Sequence, residues 1–221
     1  MFATSAQTSQ GADLRSSGRF DLVDVVRAQD HAVRERAAAV QQLQDQVDSL
    51  TSDAAPGSAE VARLLAAAAR LAPGVGTQAV SGPVLTVSLN DAKRTAASLP
   101  EGYTADDIVV HQQDVQSVVN AMWAGGAEAM MLQDQRVIST SAVRCVGNTL
   151  ILQGRVYSPP YVIKAIGDPV AMREALDKSE QVTIYRDYAD LLGLGYDVTS
   201  AAQASFPAYE GSVSLVHAKS S

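Results

Sequence analysis

Cysteine is almost absent. Cys145 stands alone in 221 residues, which excludes an intramolecular disulfide and a cysteine-rich zinc site. A buried structural thiol is the role expected of it. Cations are in deficit too: 17 Lys and Arg face 24 Asp and Glu, for a formal net charge of −7 and a pI near 4.9. Such a chain lacks the clustered Lys and Arg that displace counterions from phosphate backbones, so no nucleic-acid partner is expected. No apolar run reaches the roughly 18 residues that a bilayer span requires, and no charged segment followed by an apolar one opens the chain.

What remains is ordinary globular material, 47% hydrophobic and 19% charged. That is enough apolar surface to offset the entropy of ordering one core. The opening Phe2-Ala3-Thr4-Ser5-Ala6, followed by the polar stretch Gln7 to Ser17, reads as the remnant after a removed membrane segment. Residues 1–18 are therefore expected to be juxtamembrane.

A helical arm is expected over 19–56. Val26, Val33, Val40 and Val47 recur in one heptad register and Leu22, Gln29, Arg36, Leu43 and Leu50 in the other, the 3,4 spacing of a coiled-coil seam. Val26, Val33, Val40, Leu43, Val47 and Leu50 form the expected interaction seam. Valine at a with leucine at d favours a parallel dimer. Gln29 and Arg36 weaken the d layer, which is also consistent with a heteromeric partner. A single amphipathic helix packed on its own domain would use the same stripe. Asp53, Pro56 and Gly57 predict a break. Val61, Leu64, Leu65, Ala68 and Leu71 then predict a second helix ending before Pro73-Gly74.

An α+β domain is expected over 57–221. Val84 to Leu89 reads as its first main strand, and Ala92 to Ile108 as a long, mobile loop. Val115, Val118, Val119, Met122 and Trp123 fall on one helix face that ends at Gly125-Gly126, which makes Trp123 a core residue. Ala127 to Leu132, then a hairpin of Arg136 to Cys145 with Thr149 to Leu152, follow as strands. Tyr161 to Ile166 is the next strand, and Asp168-Pro169 caps a helix running to about Lys178. This order is the split βαβ arrangement of a ferredoxin-like fold, with extra strands near Tyr161 and Val213.

No catalytic residue, metal site or cofactor is expected. Asp91, Asp106, Asp107, His111 and Asp114 are the densest set of acid, base or ligating groups, but their spacing matches no known ligand set. Cys145 has no histidine nearby in sequence, with His111 and His217 as spatial candidates. Gly167-Asp168-Pro169 is read as a helix cap rather than a phosphate loop. Glu128 and Arg136 are expected to pair across a hairpin. Alternatively Arg136, with Asn120 and Tyr161, forms a site for a carboxylate or phosphate, which the planar guanidinium suits.

The segments Gly82 to Val87, Asn120 to Ala129 and Pro160 to Pro169 resemble the bacterial family called domain of unknown function 881, over nearly the whole chain. Phe2 to Ala6 and Asp13-Leu14-Arg15 resemble that family's segment just after its transmembrane helix. The resemblance implies a single-pass membrane protein, anchored by a segment absent here, with its domain outside the cytoplasm. It also implies an α+β plait, association with cell division or the cell envelope, and no established catalytic activity. The expected function is a non-enzymatic, envelope-associated scaffold or adaptor that self-associates or docks a division or wall-synthesis protein through the arm. The alternatives are a sensor of small anionic ligands and an envelope hydrolase.

Overall fold

Helix α1, Leu14–Ala54, is the longest element. The computed structural model describes residues 14–146, 149–211 and 213, and the chain divides into two units, Met1–Val47 and Asp48–Ser221. α1 begins inside the stretch expected to be juxtamembrane, and a 3-10 turn at Ala55–Gly57 interrupts it where Pro56 cannot donate. Helix α2, Ala59–Val75, restarts at Ser58, whose hydroxyl accepts from the Val61 amide. It stops at Gly76, whose φ of 83° only glycine adopts readily. Among the described residues no helix is long and apolar enough to cross a membrane.

The second unit is α+β. Its elements in chain order are β1 (Val80–Asn90), α3 (Gln112–Ala124), β2 (Ala129–Leu132), β3 (Gln135–Val137), β4 (Val143–Val146), β5 (Thr149–Leu152), β6 (Arg155–Tyr157), β7 (Tyr161–Ile166), α4 (Pro169–Lys178), α5 (Glu180–Leu192) and β8 (Gly195–Phe206). The main sheet has the order β3-β2-β7-β1-β8, and β4-β5-β6 form a small second sheet. Every pairing in the main sheet is antiparallel.

Alternation along β1 selects the faces. Leu85, Val87 and Leu89 are fully buried and Thr86 and Ser88 half-buried. The buried stripes of α3 (Val115, Val118, Met122), α4 (Met172, Leu176) and α5 (Val182, Tyr185) join those strand residues in one core, which also takes in Leu150 and Leu152 of the small sheet. A smaller cluster gathers Val84, Ala129, Ile166 and Phe206. α3 and α4 approach closely because Gly125 has no side chain: a Cβ there would lie 2.7 Å from Met172 Cα.

Several expectations are corrected. Arg136 to Cys145 is not one strand but β3 and β4, separated by a turn in which Ile138 and Ser141 hydrogen-bond each other. The β4–β5 pairing is present, with Val146 opposite Thr149, while Gly147 and Asn148 lie outside the described residues. The last strand is Gly195–Phe206 rather than a segment near Val213. The loop from Ala92 to Ile108 contains two short 3-10 turns, Ala96–Ser98 and Ala105–Ile108, and buries Ile108. Trp123 is 37% exposed, because it stands one position past Met122 and turns off the core stripe.

The Gly125 crossing yields a test. With φ at −78°, alanine is conformationally allowed there and would by itself stabilise by about 0.4–1 kcal/mol through chain entropy. Overpacking against Met172 and Ala175 costs about 1–3 kcal/mol and dominates, so Gly125→Ala is expected to lower the urea midpoint. A raised midpoint would show that the helices are not in tight contact.

Candidate functional site

Three surfaces contain the residues that the sequence marks for function. The first is the α1 seam. Val40, Leu43, Val47 and Leu50 are 53–70% exposed and Val33 is half-buried. Val26 lies on the helix, but its side chain is outside the described residues. In sequence the same 3,4 spacing runs on through Ala54, Gly57, Val61, Leu64, Ala68, Leu71 and Val75. Leu64, Leu71 and Val75 are again more than half exposed, and α2 has no buried residue. These positions are absent from the expected seam, although continued counting past the break finds them.

The second surface is a cleft of about 500 Å³ lined by Arg136, Gly76, Trp123, Glu128, Ile138 and Thr140 among others. Arg136 is buried on β3, where Met131 stands opposite it. Its Nη1 donates to the Pro207 carbonyl at 2.8 Å and the Gln78 carbonyl at 3.5 Å. Loss of hydration lowers the guanidinium's pKa from its ordinary value. The other two residues of the expected anion site are elsewhere. Asn120 lines a cleft between α3 and α4, and Tyr161 is buried in the core with its hydroxyl near the Tyr157 carbonyl. Glu128 makes no ion pair with Arg136. It precedes β2, is exposed, and its amide donates to the Ile166 carbonyl, so it shares the cleft lining with Arg136 without forming the expected cross-strand pair.

The third surface is a cleft of about 570 Å³ beside the start of α3, lined by Asp106, Asp107, His111, Asp114, Tyr185 and Tyr188 among others. Asp107 and Asp114 of this cleft, and Asp91 outside its lining, bind backbone amides. Asp107 accepts from the amide and hydroxyl of Thr104, which lower its pKa, and Asp91 from the Val110 amide at 2.8 Å. Asp114 caps α3 by accepting from the His111 amide at 2.8 Å, yet burial raises its pKa. The His111 imidazole sits 3.3 Å from Asp106 and 3.8 Å from Asp114. Among the described residues, no group of three or more His, Cys, Asp or Glu is placed to hold a metal ion.

Cys145 is exposed rather than buried, because β4 turns most of its residues outward. Its sulfur accepts from the Gln112 amide at 3.2 Å, and its own amide donates to Gln112 Oε1 at 3.1 Å, an exchange that ties β4 to α3. His217 lies outside the described residues. Asp168 is a helix cap, with Oδ1 accepting from the Val170 and Ala171 amides.

Comparison with known proteins places these surfaces in a family context. Residues 67–219 match the family described as "Bacterial protein of unknown function (DUF881)". The UPF0749 protein Rv1823 of Mycobacterium tuberculosis is 28% identical over 190 residues, 85% of this chain and 62% of that protein. The UPF0749 protein YlxW of Bacillus subtilis is 30% identical over 103 residues, 47% of this chain and 43% of that one. The chain thus spans 62% of the length of the mycobacterial relative. The crystal structure of an uncharacterized conserved protein from Mycobacterium tuberculosis matches 70% of this chain and 99% of that one, with a TM-score of 0.52 and 25% identity.

The half-buried Asp114 carboxyl sets a pH dependence. Because loss of hydration raises its folded pKa above the ordinary value of an aspartate, the stability it contributes is complete below that ordinary value and is lost as pH rises through the raised one. Asp114→Asn keeps an acceptor for the His111 amide and cannot ionise. Its urea midpoint is expected to gain on the parent's as pH rises from 3.5 toward 7, and a constant gap would refute the raised carboxyl pKa.

Proposed function

Because the chain belongs to the DUF881 family of bacterial proteins of unknown function, we propose a role argued from its surfaces: it is a non-enzymatic adaptor that self-associates through the α1 seam. The observation that carries this is the exposure of Val40, Leu43 and Leu50 at a and d positions of one heptad register. Covering such side chains stabilises an assembly by about 25 cal/mol per Å² of apolar surface removed from water. The flanking positions Ala32, Ala37, Ala39, Gln44 and Gln46 are uncharged, so two copies in register meet no like-charge repulsion beside the seam. Arg36, exposed at a d position, makes its own layer the weak one and keeps the pairing reversible.

The remainder of the reading places the protein at the membrane. The resemblance of residues 2–6 and 13–15 to a segment that follows a transmembrane helix supports a single-pass anchor and a domain outside the cytoplasm, docking a division or wall-synthesis protein. The order β2-β7-β1-β8, with helices after β1 and β7, supports treating the domain as a ferredoxin-like plait with β3 to β6 inserted between its second and third strands.

Sedimentation velocity of the whole chain tests the seam. The parent is expected at dimer mass, and Val40→Asp with Leu43→Asp at monomer mass, since the substitutions place charge in the seam. Ala38→Asp, exposed and outside the seam, is expected to leave the dimer intact. A monomeric parent, or a dimer indifferent to the double substitution, removes the self-association reading.

A further inference from the structure

Arg136, at 4% exposure, is the one buried charged residue among those described. Burying a guanidinium is costly unless hydrogen bonds and a counter-charge compensate. Here Nη1 has two carbonyl acceptors, and no carboxylate of the described residues pairs with the group. Nε is buried with no acceptor, and no hydrogen bond of the described residues engages Nη2. The unused Nε–Nη2 edge is one that takes a carboxylate side-on through two parallel N–H···O bonds.

That edge faces the cleft wall at Gly76, where a Cβ would stand 3.9 Å from both Nε and Nη2. Gly76 carries no side chain there, so only backbone stands beside that edge, and any larger residue at 76 would close on it. The rest of the cleft supplies apolar surface from Trp123, Ile138 and Pro73 and hydroxyls from Ser139 and Thr140. Among the described residues Arg136 is the only cation lining it, while Glu128 and the C-terminal end of α2 at Pro73–Gly76 bring negative potential. One cation against that background matches a single negative charge and opposes a dianion.

We propose that this cleft binds a small organic monocarboxylate, its oxygens on the Nη2–Nε edge of Arg136 and its apolar body against Trp123 and Ile138. Trp123 is the only tryptophan in the chain, so its fluorescence reports on this cleft alone. The test titrates the whole chain at constant ionic strength with 3-methylbutanoate, its neutral isostere 3-methylbutanamide, and inorganic phosphate. A saturable change is expected with the carboxylate and none with the amide or phosphate. Arg136→Gln is expected to weaken binding about tenfold or more, the loss of a charge-assisted hydrogen bond. Should that variant fail to fold, Glu128→Gln, at an exposed position, decides in its place by tightening carboxylate binding. No saturable response, an equal response to the amide, or a carboxylate affinity indifferent to both variants overturns the proposal. Saturation by phosphate alone overturns the choice of a monocarboxylate.

Discussion

The double pairing of β1 is the constraint on which the second unit depends. On one side it meets β7, from Val84 opposite Ile166 to Leu89 opposite Tyr161. On the other it meets β8, from Val80 opposite Phe206 to Asn90 opposite Gly195. A strand hydrogen-bonded on both edges cannot slip by one residue without turning Leu85, Val87 and Leu89 out of the core. The register also shifts between Gly82 and Val84, where Ile166 leaves no space for a side chain on Gly82. Segments distant in sequence are thereby held at fixed heights along one strand.

The Arg136 cleft is a consequence of that arrangement. β2 pairs with β7 and β3 with β2, which carries Arg136 to the sheet edge remote from β8. The chain beyond β8 returns to it: Pro207 accepts from Nη1, and the Tyr209 amide donates to the Gly76 carbonyl. The guanidinium therefore ties the segment before β1 to the segment after β8, using one of its edges. A lysine would offer a point charge and could not hold two carbonyls on one nitrogen while presenting a planar edge elsewhere.

The helices before the sheet follow different physics. α3, α4 and α5 each bury a stripe, whereas α2 buries none and α1 exposes Val40, Leu43 and Leu50. Amphipathic helices gain most of their stability from covering an apolar face, so a face that remains in water is the feature that most needs a partner. The seam and the Arg136 cleft are separable in kind. One is a row of apolar side chains at coiled-coil spacing, the other a buried charge with spare hydrogen-bonding capacity.

Local periodicity made much of this legible in the residues alone. β1, the α3 stripe, the Asp168 cap and the β4–β5 hairpin each depend on neighbours a few positions apart, and such patterns report directly on local structure and on which side of an element meets the core. α5 belonged to the same class, since Val182, Tyr185, Ala189 and Leu192 keep helical spacing, but its polar intervening residues concealed it. β8 was not legible, because Thr199 to Ser205 is rich in Ala, Ser and Gln and takes strand form through backbone pairing with β1, which any sequence can make. Nor did sequence distance reveal that Arg136 lies apart from Asn120 and Tyr161, that Glu128 shares its cleft without pairing with it, or that Cys145 is exposed. Those outcomes turn on which strands become neighbours, and that choice belongs to the summed burial of the whole core rather than to any local run of residues.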